Sequence, residues 1–390
     1  MVEELTALET VLGEARVLSG EEVGLLESLG RFLGATLIAT IPHPRFDNSV
    51  VDGYALRAEE SGKMLKVTGE QPAGKNRALS VEAGEAIRIF TGAPTPNGAD
   101  AVVMQEDVER TGDTIRLIEP VEMGENIRRA GADIARGQVL ARKGDKIVPQ
   151  MIGLLAGQGI ARVMVQRKPV VTILSSGDEL RRPGETLADG EFYESNSWSL
   201  AALARSLGLT ATSDLLPDDL EVITRRIAMA LETSDVLILS GGVSVGDHDF
   251  VKPALKRLGI ELGLWRVRIK PGKPLAFAAH HGKLIFGLPG NPVAAFLTFQ
   301  LFVRPALLQM MGAIGGSRFL TKQQVIAGET LVNRGNRPHY LRGRLSNGQF
   351  YLTGLQESHA IFGLAQSEGA VRLGPEEVVK EGSLVDFLKW

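Results

Sequence analysis

A glycine-rich loop that follows an apolar run is the first stretch of this sequence with clear chemical potential. Residues 236–239 are all apolar, which is typical of a strand buried on both faces of a parallel sheet. The small residues after it are Ser240, Gly241, Gly242, Ser244 and Gly246. Helical spacing of apolar residues resumes from Phe250. Strand, small-residue loop and helix N-terminus together can bind an anion through bare backbone N–H groups and the helix dipole.

Two carboxylates, Asp247 and Asp249, occupy the part of this loop where an anion would bind. Acid next to phosphate is repulsive unless a cation lies between them, and Mg²⁺ is the common choice. A tight turn in which Asp247 caps the following helix explains the same residues without any ligand. Both interpretations remain open on this stretch alone.

Other polar residues follow predicted strands of the same region. Asp178 and Glu179 come after the apolar run 170–175, and Ser195-Asn196 and Pro217-Asp218-Asp219 stand where helices begin. The segment Leu288-Pro-Gly-Asn-Pro ends another apolar run, with Asn291 as a predicted helix cap and Pro292 at the first helical position. Carboxyl ends of parallel strands share one sheet edge, so we expect these loops to meet there.

Basic residues are concentrated in Trp265-Arg-Val-Arg-Ile-Lys-Pro-Gly-Lys-Pro. Arg266, Arg268 and Lys270 alternate, which predicts a strand with all three on one face, and Lys273 follows in a turn. A solvated edge strand is the simpler interpretation. The position beside the predicted anion site favours binding of phosphate or an oxyanion.

The elements that must position these residues alternate between strand and helix over residues 169–312. The predicted strands are 170–175, 210–215, 235–240, 264–269, 275–279 and 283–288, and the predicted helices are 196–207, 218–233, 248–258 and 292–311. This alternation indicates a doubly wound, mostly parallel sheet with helices on both faces.

The segments before residue 169 show different patterns of apolar residues. Residues 4–33 show two helix-like patterns, and residues 150–158 resume that style. Between 45 and 132, short apolar segments bounded by glycine or proline predict a small β domain inserted into the helical one. Its predicted strands are 64–68, 86–91, 101–105 and 114–118.

Composition excludes several classes of function. The 390 residues contain no cysteine, so disulfides, thiolate metal sites and cysteine nucleophiles are excluded. A net charge of −3 indicates no nucleic-acid partner. No basic N-terminal region precedes an apolar segment, and the apolar stretch 293–303 is too short to span a bilayer. We therefore expect a cytoplasmic protein without a membrane partner, and from the residues alone a Mg²⁺-dependent enzyme acting on an anionic small molecule.

Five motifs, in order, resemble those of the MoeA-type molybdopterin molybdenumtransferases, a family related to the E domain of gephyrin. They are Phe46-Asp-Asn-Ser-Val-Val-Asp-Gly-Tyr-Ala, Thr91-Gly-Ala-Pro-Thr-Pro-Asn-Gly-Ala-Asp, Ser240-Gly-Gly-Val-Ser-Val-Gly-Asp, Lys270-Pro-Gly-Lys-Pro and Gly287-Leu-Pro-Gly-Asn-Pro. The tail, with Leu355-Gln-Glu-Ser-His-Ala, is also similar. The resemblance covers nearly the whole chain.

The resemblance implies a multidomain α/β plus β fold. Its parts are an N-terminal helical domain (1–44 and 133–168), an inserted β domain (45–132), a molybdopterin-binding, adenylyltransferase-like α/β domain (169–313) and a C-terminal β-barrel (314–390). It also implies Mg²⁺-dependent insertion of molybdate into adenylated molybdopterin, with release of AMP and molybdenum cofactor. The expected assembly is a homodimer with shared active sites, and the expected upstream donor is a molybdopterin adenylyltransferase.

The family's functional residues are carried over position by position. The catalytic acids and hydroxyl fall on Asp52, Thr91, Glu179, Asp218 and Asp249, of which Glu179 and Asp249 are the expected metal ligands. The cofactor-binding positions fall on Asp133, Ser240, Gly241, Gly242, Ser244, Gly246, Arg266, Lys270, Lys273, Pro289, Asn291 and Pro292. Arg266 replaces the usual lysine, and a guanidinium fork can also bind an oxyanion.

Three alternatives remain. Molybdopterin adenylyltransferases and CinA-like nucleotide enzymes share the α/β domain with its glycine loop, although they lack the inserted domain and the Lys270-Pro-Gly-Lys-Pro segment. A scaffold protein like gephyrin belongs to another class, but no linker or docking tail is present in the sequence. Within the first function, the sequence does not separate molybdate from tungstate.

Overall fold

The computed structural model describes residues 1–242 and 250–390. The helices of this part are α1 (Glu4–Glu14), α2 (Pro149–Gly157), α3 (Asn196–Ser206), α4 (Leu220–Thr233), α5 (Val251–Arg257), α6 (Pro292–Thr298), α7 (Arg304–Met310) and α8 (Ile361–Ala365). The strands are β1 (Gly20–Gly24), β2 (Leu37–Ile38), β3 (Asn48–Ser49), β4 (Gly53–Leu56), β5 (Met64–Gln71), β6 (Glu85–Ile89), β7 (Ala101–Met104), β8 (Val108–Thr111), β9 (Thr114–Leu117), β10 (Ile127–Arg128), β11 (Val139–Ala141), β12 (Arg162–Gln166), β13 (Val171–Ser176), β14 (Leu180–Arg181), β15 (Phe192–Tyr193), β16 (Ala211–Leu216), β17 (Val236–Ser240), β18 (Leu264–Arg266), β19 (Pro274–His280), β20 (Lys283–Leu288), β21 (Thr321–Ala327), β22 (Leu331–Val332), β23 (His339–Ser346), β24 (Gln349–Leu352), β25 (Gly369–Leu373), β26 (Val378–Val379) and β27 (Leu384–Lys389).

The chain divides into two compact units. The large unit contains Met1–Ala35, Lys143–Pro149 and Arg162–Trp390, and the small unit contains Thr36–Arg142 and Gln150–Ala161. The domain boundaries 1–44 with 133–168, 45–132, 169–313 and 314–390 stay a prediction.

The centre of the large unit is a sheet with the strand order β16-β13-β17-β20-β19-β18. The first four strands are parallel to one another. β19 pairs antiparallel with β20, and β18 pairs antiparallel with β19. Every residue of β17 is buried, as expected for a strand covered on both faces. The predicted doubly wound, mostly parallel sheet is therefore confirmed.

Alternating residues of the central strands face two separate apolar cores. Ile173 and Ile238 pack into one core with Leu200 of α3. Leu174 and Leu239 pack into the other with buried apolar residues of α4 and α5. Because successive side chains point to opposite faces, a strand without polar residues requires a helix layer on each side. This sandwich holds the strand ends, and the loops that follow them, at one edge.

A continuous helix, Pro292–Met310, passes through the core of the large unit. It consists of α6, a π-helical turn at Phe299–Val303, and α7. The helix has 19 residues, and its most apolar window of 18 residues has a mean hydropathy of 1.4, enough by length and composition to cross a membrane. However, 78% of its most apolar window is buried inside the unit. Among the described residues, this is the helix that meets the criteria for a membrane span. Its burial inside the unit is typical of the core helix of a folded domain.

The second of the two helices predicted for residues 4–33 is wrong. Residues 4–14 form α1, but the chain then enters β1, which pairs antiparallel with β12. The apolar residues that suggested a second helix include Leu26, which is 81% exposed, and Leu29, which is 53% exposed. Leu26 and Leu29 would give a helix no buried face, while Phe32 and Leu33 are buried without one. β1 instead gains a full hydrogen-bonded ladder from β12.

The small unit contains the predicted β domain. Its main sheet has the order β7-β4-β6-β5-β9-β8, and its core includes Tyr54, Leu56, Leu65 and Ile115. The predicted strands 64–68, 86–91, 101–105 and 114–118 coincide with β5, β6, β7 and β9 within two or three residues at each end. In the C-terminal part of the large unit, β21, β24, β23, β25 and β27 close into a barrel, which confirms the predicted C-terminal β-barrel.

Candidate functional site

A cavity of about 530 Å³ lies in the large unit at the carboxyl ends of β13 and β17. Five residues selected from the sequence line it: Glu179, Ser240, Gly241, Asn291 and Pro292. The structure therefore brings together the loops after β13, β17 and β20, as expected for the edge of a parallel sheet. We call this cavity the first cleft.

Gly241 allows the chain to turn sharply after β17. Its φ is +84°, in the left-handed region that glycine tolerates without strain. A Cβ atom at this position would lie 2.8 Å from the carbonyl oxygen of Ser176. The loop after β17 thus passes directly over the end of β13, and this close approach requires glycine. Gly242, with φ of +60°, continues the same turn.

Asn196, at the first position of α3, connects three parts of the first cleft. Its Nδ2 donates to Ser240 Oγ at 2.9 Å and to the Gly290 carbonyl oxygen at 2.7 Å. Its Oδ1 is buried and accepts no hydrogen bond from the part of the chain that the structure describes. Buried polar atoms are normally paired, so Oδ1 is a candidate acceptor for an N–H or O–H group of a ligand. The sequence indicated Asn196 as part of a helix start at this edge, and Asn196 and Ser195 both line the first cleft.

Glu194 is a buried carboxylate in the wall of the first cleft that the sequence did not indicate. It is 3% exposed and accepts hydrogen bonds from the backbone N–H and the hydroxyl of Ser197. The Ser175 hydroxyl at the end of β13 also donates to it, at 3.2 Å. These bonds fasten the N-terminus of α3 to the sheet edge. Glu194 therefore positions Asn196. The one sequence signal that could have indicated this role is the spacing of three residues between Glu194 and Ser197, which is that of a helix-capping pair.

The acidic residues of the first cleft provide oxygen donors. Glu179 lines the cleft beside the backbone of Gly177. The neighbouring Asp178 and Asp218 are joined by two hydrogen bonds. The Asp178 N–H donates to the Asp218 carboxylate at 3.3 Å, and the Asp218 N–H donates to the Asp178 carboxylate at 3.0 Å. Asp218 thus lies next to the Glu179 loop without lining the cleft. Carboxylates on adjoining loops suit Mg²⁺, which uses one or two of them together with substrate phosphates and water.

Part of the predicted site cannot be placed. Ser244, Gly246 and Asp249 lie outside the described residues. Among residues 1–242 and 250–390, no group of three or more histidine, aspartate or glutamate side chains is arranged to hold a metal ion. The metal-ligand roles of Glu179 and Asp249 remain predictions.

The expected helix cap at Asn291 is only partly correct. Asn291 occupies the cap position of α6 and Pro292 the first helical position, but the Asn291 side chain makes no capping hydrogen bond. Both line the first cleft, and the buried Pro289 precedes them without lining it. At α4, by contrast, Asp219 caps as predicted, since its Oδ1 accepts from the Val222 N–H at 2.8 Å.

The predicted basic strand 264–269 is wrong in its second half. β18 ends at Arg266, and the Ile269 N–H bonds back to the Val267 carbonyl at 3.0 Å, which turns the chain. Arg268 then reaches Glu3 at 3.2 Å. Because of this turn, Arg266, Arg268 and Lys270 do not share one strand face. Arg266, Lys270 and Lys273 do not line the first cleft.

Lys270 instead pairs with the start of barrel strand β23. Its N–H donates to the Pro338 carbonyl at 2.8 Å, and its carbonyl accepts from the Tyr340 N–H at 2.9 Å. This pairing places Lys270 beside His339, whose pKa falls to about 4 through burial and through the charges of Lys270, Arg342 and Arg337. We call Lys270, Arg337, His339 and Arg342 the basic cluster.

Arg342 is the residue of the basic cluster with most unused donors. It is 2% exposed, and its Nη2 donates to the carbonyls of Leu355 and Glu357 at 2.7 and 3.3 Å. Its Nε and Nη1, like Nε2 of His339, are buried without a partner among the described residues. Burial lowers the pKa of Arg342 to about 10. Unpaired guanidinium donors are suited to an oxyanion. Nothing in the spacing of the sequence indicated Arg342.

The predicted residues of the small unit form a compact acidic site of their own. Asp52 Oδ1 accepts hydrogen bonds from the Thr91 N–H at 2.8 Å and from its hydroxyl at 2.7 Å. These two bonds, and the nearby charge of Arg88, hold the pKa of Asp52 below its usual value. Asp52 is therefore ionised and oriented by Thr91. Asp133 is exposed in the same unit, with its N–H bonded to the His43 carbonyl.

Comparison with known proteins defines the class first. Three family models match successive parts of the chain: the MoeA N-terminal region (domain I and II) over residues 2–159, a probable molybdopterin binding domain over residues 172–309, and the MoeA C-terminal region (domain IV) over residues 324–390. The crystal structure of a molybdopterin biosynthesis MoeA protein from Pyrococcus horikoshii is similar over all of both chains, with a TM-score of 0.86 and 30% identity.

Individual relatives then give the family. A molybdopterin molybdenumtransferase of Staphylococcus aureus is 34% identical over 393 aligned residues, 98% of this chain and 94% of that protein. One from Haemophilus influenzae is 38% identical over 296 residues, 75% of this chain and 73% of that protein. A molybdopterin molybdenumtransferase 2 of Mycobacterium tuberculosis is 34% identical over 94% of both. The chain therefore belongs to the molybdopterin molybdenumtransferase family, whose members are transferases of molybdenum cofactor biosynthesis.

Proposed function

We propose that this enzyme inserts molybdate into adenylated molybdopterin in a Mg²⁺-dependent reaction that releases AMP and molybdenum cofactor. The observation that carries this proposal is the pair of unused, buried donor nitrogens of Arg342, whose charge acts on His339 together with that of Lys270. A buried cation without a partner costs free energy that an oxyanion ligand recovers. Molybdate, a compact tetrahedral dianion, matches a guanidinium fork joined by a lysine ammonium.

The first cleft is the proposed site of the organic substrate. Its volume of about 530 Å³ falls within the range of small-molecule sites. The free Oδ1 of Asn196 would accept from an N–H or O–H group of the substrate. Bound Mg²⁺ would neutralise phosphate charge there, with Glu179 as a ligand. Glu179, Asp178 and Asp218 otherwise repel phosphate, so they orient it only through a cation.

The oxyanion assignment is tested by measuring the molybdate concentration that gives half-maximal AMP release. Arg342→Lys keeps the charge but loses the fork, and Lys270→Ala loses a charge. Each should raise that concentration by about 10- to 100-fold, because a hydrogen bond to a charged group contributes about 1.5–3 kcal/mol. Arg344→Lys is the matched control, since Arg344 is exposed on the same strand. An unchanged molybdate requirement in Arg342→Lys would refute the assignment.

The role of Glu179 is tested separately through the metal. Glu179→Gln preserves size and removes the charge, so it should raise the Mg²⁺ concentration required for half-maximal AMP release and lower the maximal rate. Loss of one preorganised electrostatic group typically costs about 100- to 1000-fold in rate. Glu185→Gln, an exposed acid outside the first cleft, is the control. Normal Mg²⁺ dependence in Glu179→Gln would contradict a metal role.

We also propose that the enzyme is a cytoplasmic homodimer with shared active sites, supplied by a molybdopterin adenylyltransferase. The support is the distribution of candidate groups. Asp52 and Thr91 belong to the small unit, whereas the first cleft and the basic cluster belong to the large unit. In a two-fold dimer, the Asp52–Thr91 pair of each chain would complete the site in the large unit of the other chain, which gives two equivalent sites.

A further inference from the structure

A second cleft, of about 350 Å³, lies in the large unit and shares no lining residue with the first cleft. Phe299 and Gln300, both buried, form its floor. Arg304 lines it from the start of α7, and Lys146 and Lys389 are exposed at its rim. Its position and charge are unrelated to the residues proposed for molybdate or molybdopterin.

The described side chains that line the second cleft include three cations, Arg304, Lys146 and Lys389, and no carboxylate. No ion pair joins Arg304, Lys146 or Lys389 to a carboxylate in residues 1–242 and 250–390. Arg304 donates from Nη1 to the Arg318 carbonyl at 3.0 Å, and burial lowers its pKa. A desolvated cation is normally paired, so this cleft favours an anion.

Gln300 provides a polar group on the floor of the second cleft. It is 5% exposed, and the described residues provide no hydrogen-bond partner for its side chain. It belongs to the π-helical turn Phe299–Val303, which interrupts the long core helix. Such turns are rare in helices and occur frequently at functional sites. Gln300 thus lines the cleft from a π-helical turn with an amide that makes no hydrogen bond to the described residues, and such an amide can bind a ligand.

The remaining lining of the second cleft is apolar. This surface is contributed by Leu203 of α3, by Leu207 directly after that helix, and by Phe299 and Trp390. The volume greatly exceeds that of an inorganic oxyanion and reaches the lower range of small-molecule sites. The cleft therefore combines a charged end with room for a flat apolar group.

We propose that the second cleft binds a small organic anion. Its carboxylate or phosphate group contacts Arg304, Lys389 and Lys146 and accepts from the Gln300 amide, while its flat apolar body packs on Phe299 and Trp390. Pro292, at the start of the same core helix, lines the first cleft, so one helix borders both sites.

Phenyl phosphate is the test probe because it joins a dianion to a flat ring, and inorganic phosphate is its comparison. Calorimetric titration should give a dissociation constant about tenfold or more lower for phenyl phosphate, owing to burial of the ring. In a Trp198→Phe/Trp265→Phe background, Trp390 is the remaining tryptophan, and its fluorescence should change on binding. Equal affinity for both probes would overturn the proposal that a flat apolar body packs on Phe299 and Trp390.

Variants locate the binding. Gln300→Leu and Lys389→Gln should each weaken phenyl phosphate binding by about tenfold, because each removes a hydrogen bond to a charged group. Lys322→Gln is the matched control, since Lys322 pairs with Asp386 outside the second cleft. Lys389 is exposed, so its replacement tests the site even if Gln300→Leu unfolds. Binding that survives both cleft variants, or that is lost in Lys270→Ala instead, would overturn the proposal.

Discussion

Unpartnered side chains at buried positions mark the chemistry of this enzyme most directly. Asn196 Oδ1 in the first cleft, and the Arg342 and His339 nitrogens in the basic cluster, lack partners among the described residues. Folded proteins satisfy nearly all buried polar atoms, because an unsatisfied one costs about 1–3 kcal/mol. These atoms therefore point to ligands: a donor for Asn196 and an oxyanion for Arg342.

His339 should make stability depend on pH. Its pKa in the folded protein is about 4, against 6.5 for an ordinary histidine. As pH falls below 6.5, the unfolded chain takes up a proton that the folded chain refuses, so the free energy of unfolding decreases until pH passes the folded value. The stability is present above pH 6.5, and roughly 3 kcal/mol is lost by about pH 4.

The measurement is urea unfolding of wild type and His339→Gln between about pH 7 and about pH 4. The variant lacks the titrating group, so its stability should fall by roughly 3 kcal/mol less over this window. His281→Gln is the control, because His281 is exposed. Parallel pH profiles for wild type and His339→Gln would show that His339 is not held neutral.

At the scale of elements, the site depends on how strand ends and helix starts are joined. Glu194 holds the start of α3 to β13, and the Gly241 turn crosses from β17 over β13. The β13 and β17 ladders are in register from Val171 and Val236 onward, so their ends are fixed relative to each other. A small change in one loop should therefore be transmitted to the others.

Gly241→Ala tests this arrangement. A residue with a side chain pays about 1–2 kcal/mol for the left-handed conformation, and the new Cβ would also lie 2.8 Å from the Ser176 carbonyl oxygen. Gly259→Ala separates the two effects, since Gly259 has φ of +71° and open space around its Cβ position. We expect a drop in the free energy of unfolding of about 1 kcal/mol for Gly259→Ala and a clearly larger one for Gly241→Ala. Equal losses would mean that the close approach is unimportant.

At the scale of the whole molecule, candidate groups are divided between the two units. The Asp52–Thr91 pair belongs to the small unit, and the first cleft and basic cluster to the large unit. If a homodimer shares its sites, as proposed, variants damaged in different units should complement each other.

Mixing Asp52→Ala with Lys270→Ala under conditions that permit subunit exchange tests the shared sites. Half of the randomly exchanged dimers are mixed, and each contains one intact and one doubly damaged site. AMP release should therefore recover to roughly a quarter of the wild-type rate. Re-mixing each variant with itself is the control. Sites formed within single chains would recover no activity.

Much of the architecture was predictable because it follows from local patterns. Short apolar segments between glycine or proline residues indicated the small β domain, and apolar strands alternating with helices indicated the parallel sheet. The same logic placed Glu179, Ser240, Gly241, Asn291 and Pro292 at one edge, where the first cleft is found. It failed for the second helix of residues 4–33, because β1 pairs with β12, a distant partner that local periodicity does not reveal.

The sequence by itself determined which strands are buried, which loops end at the binding edge and which family the motifs resemble, since these depend on neighbours along the chain. Only the tertiary structure decided that Lys270 joins the barrel beside His339 and Arg342, that Glu194 fastens α3, and that Gln300 and Arg304 border a second cleft with Lys146 and Lys389. These contacts join residues far apart in the chain. Which residues meet depends on how whole layers pack. Burial removes water from polar groups, and it therefore affects their energies only after that packing has formed.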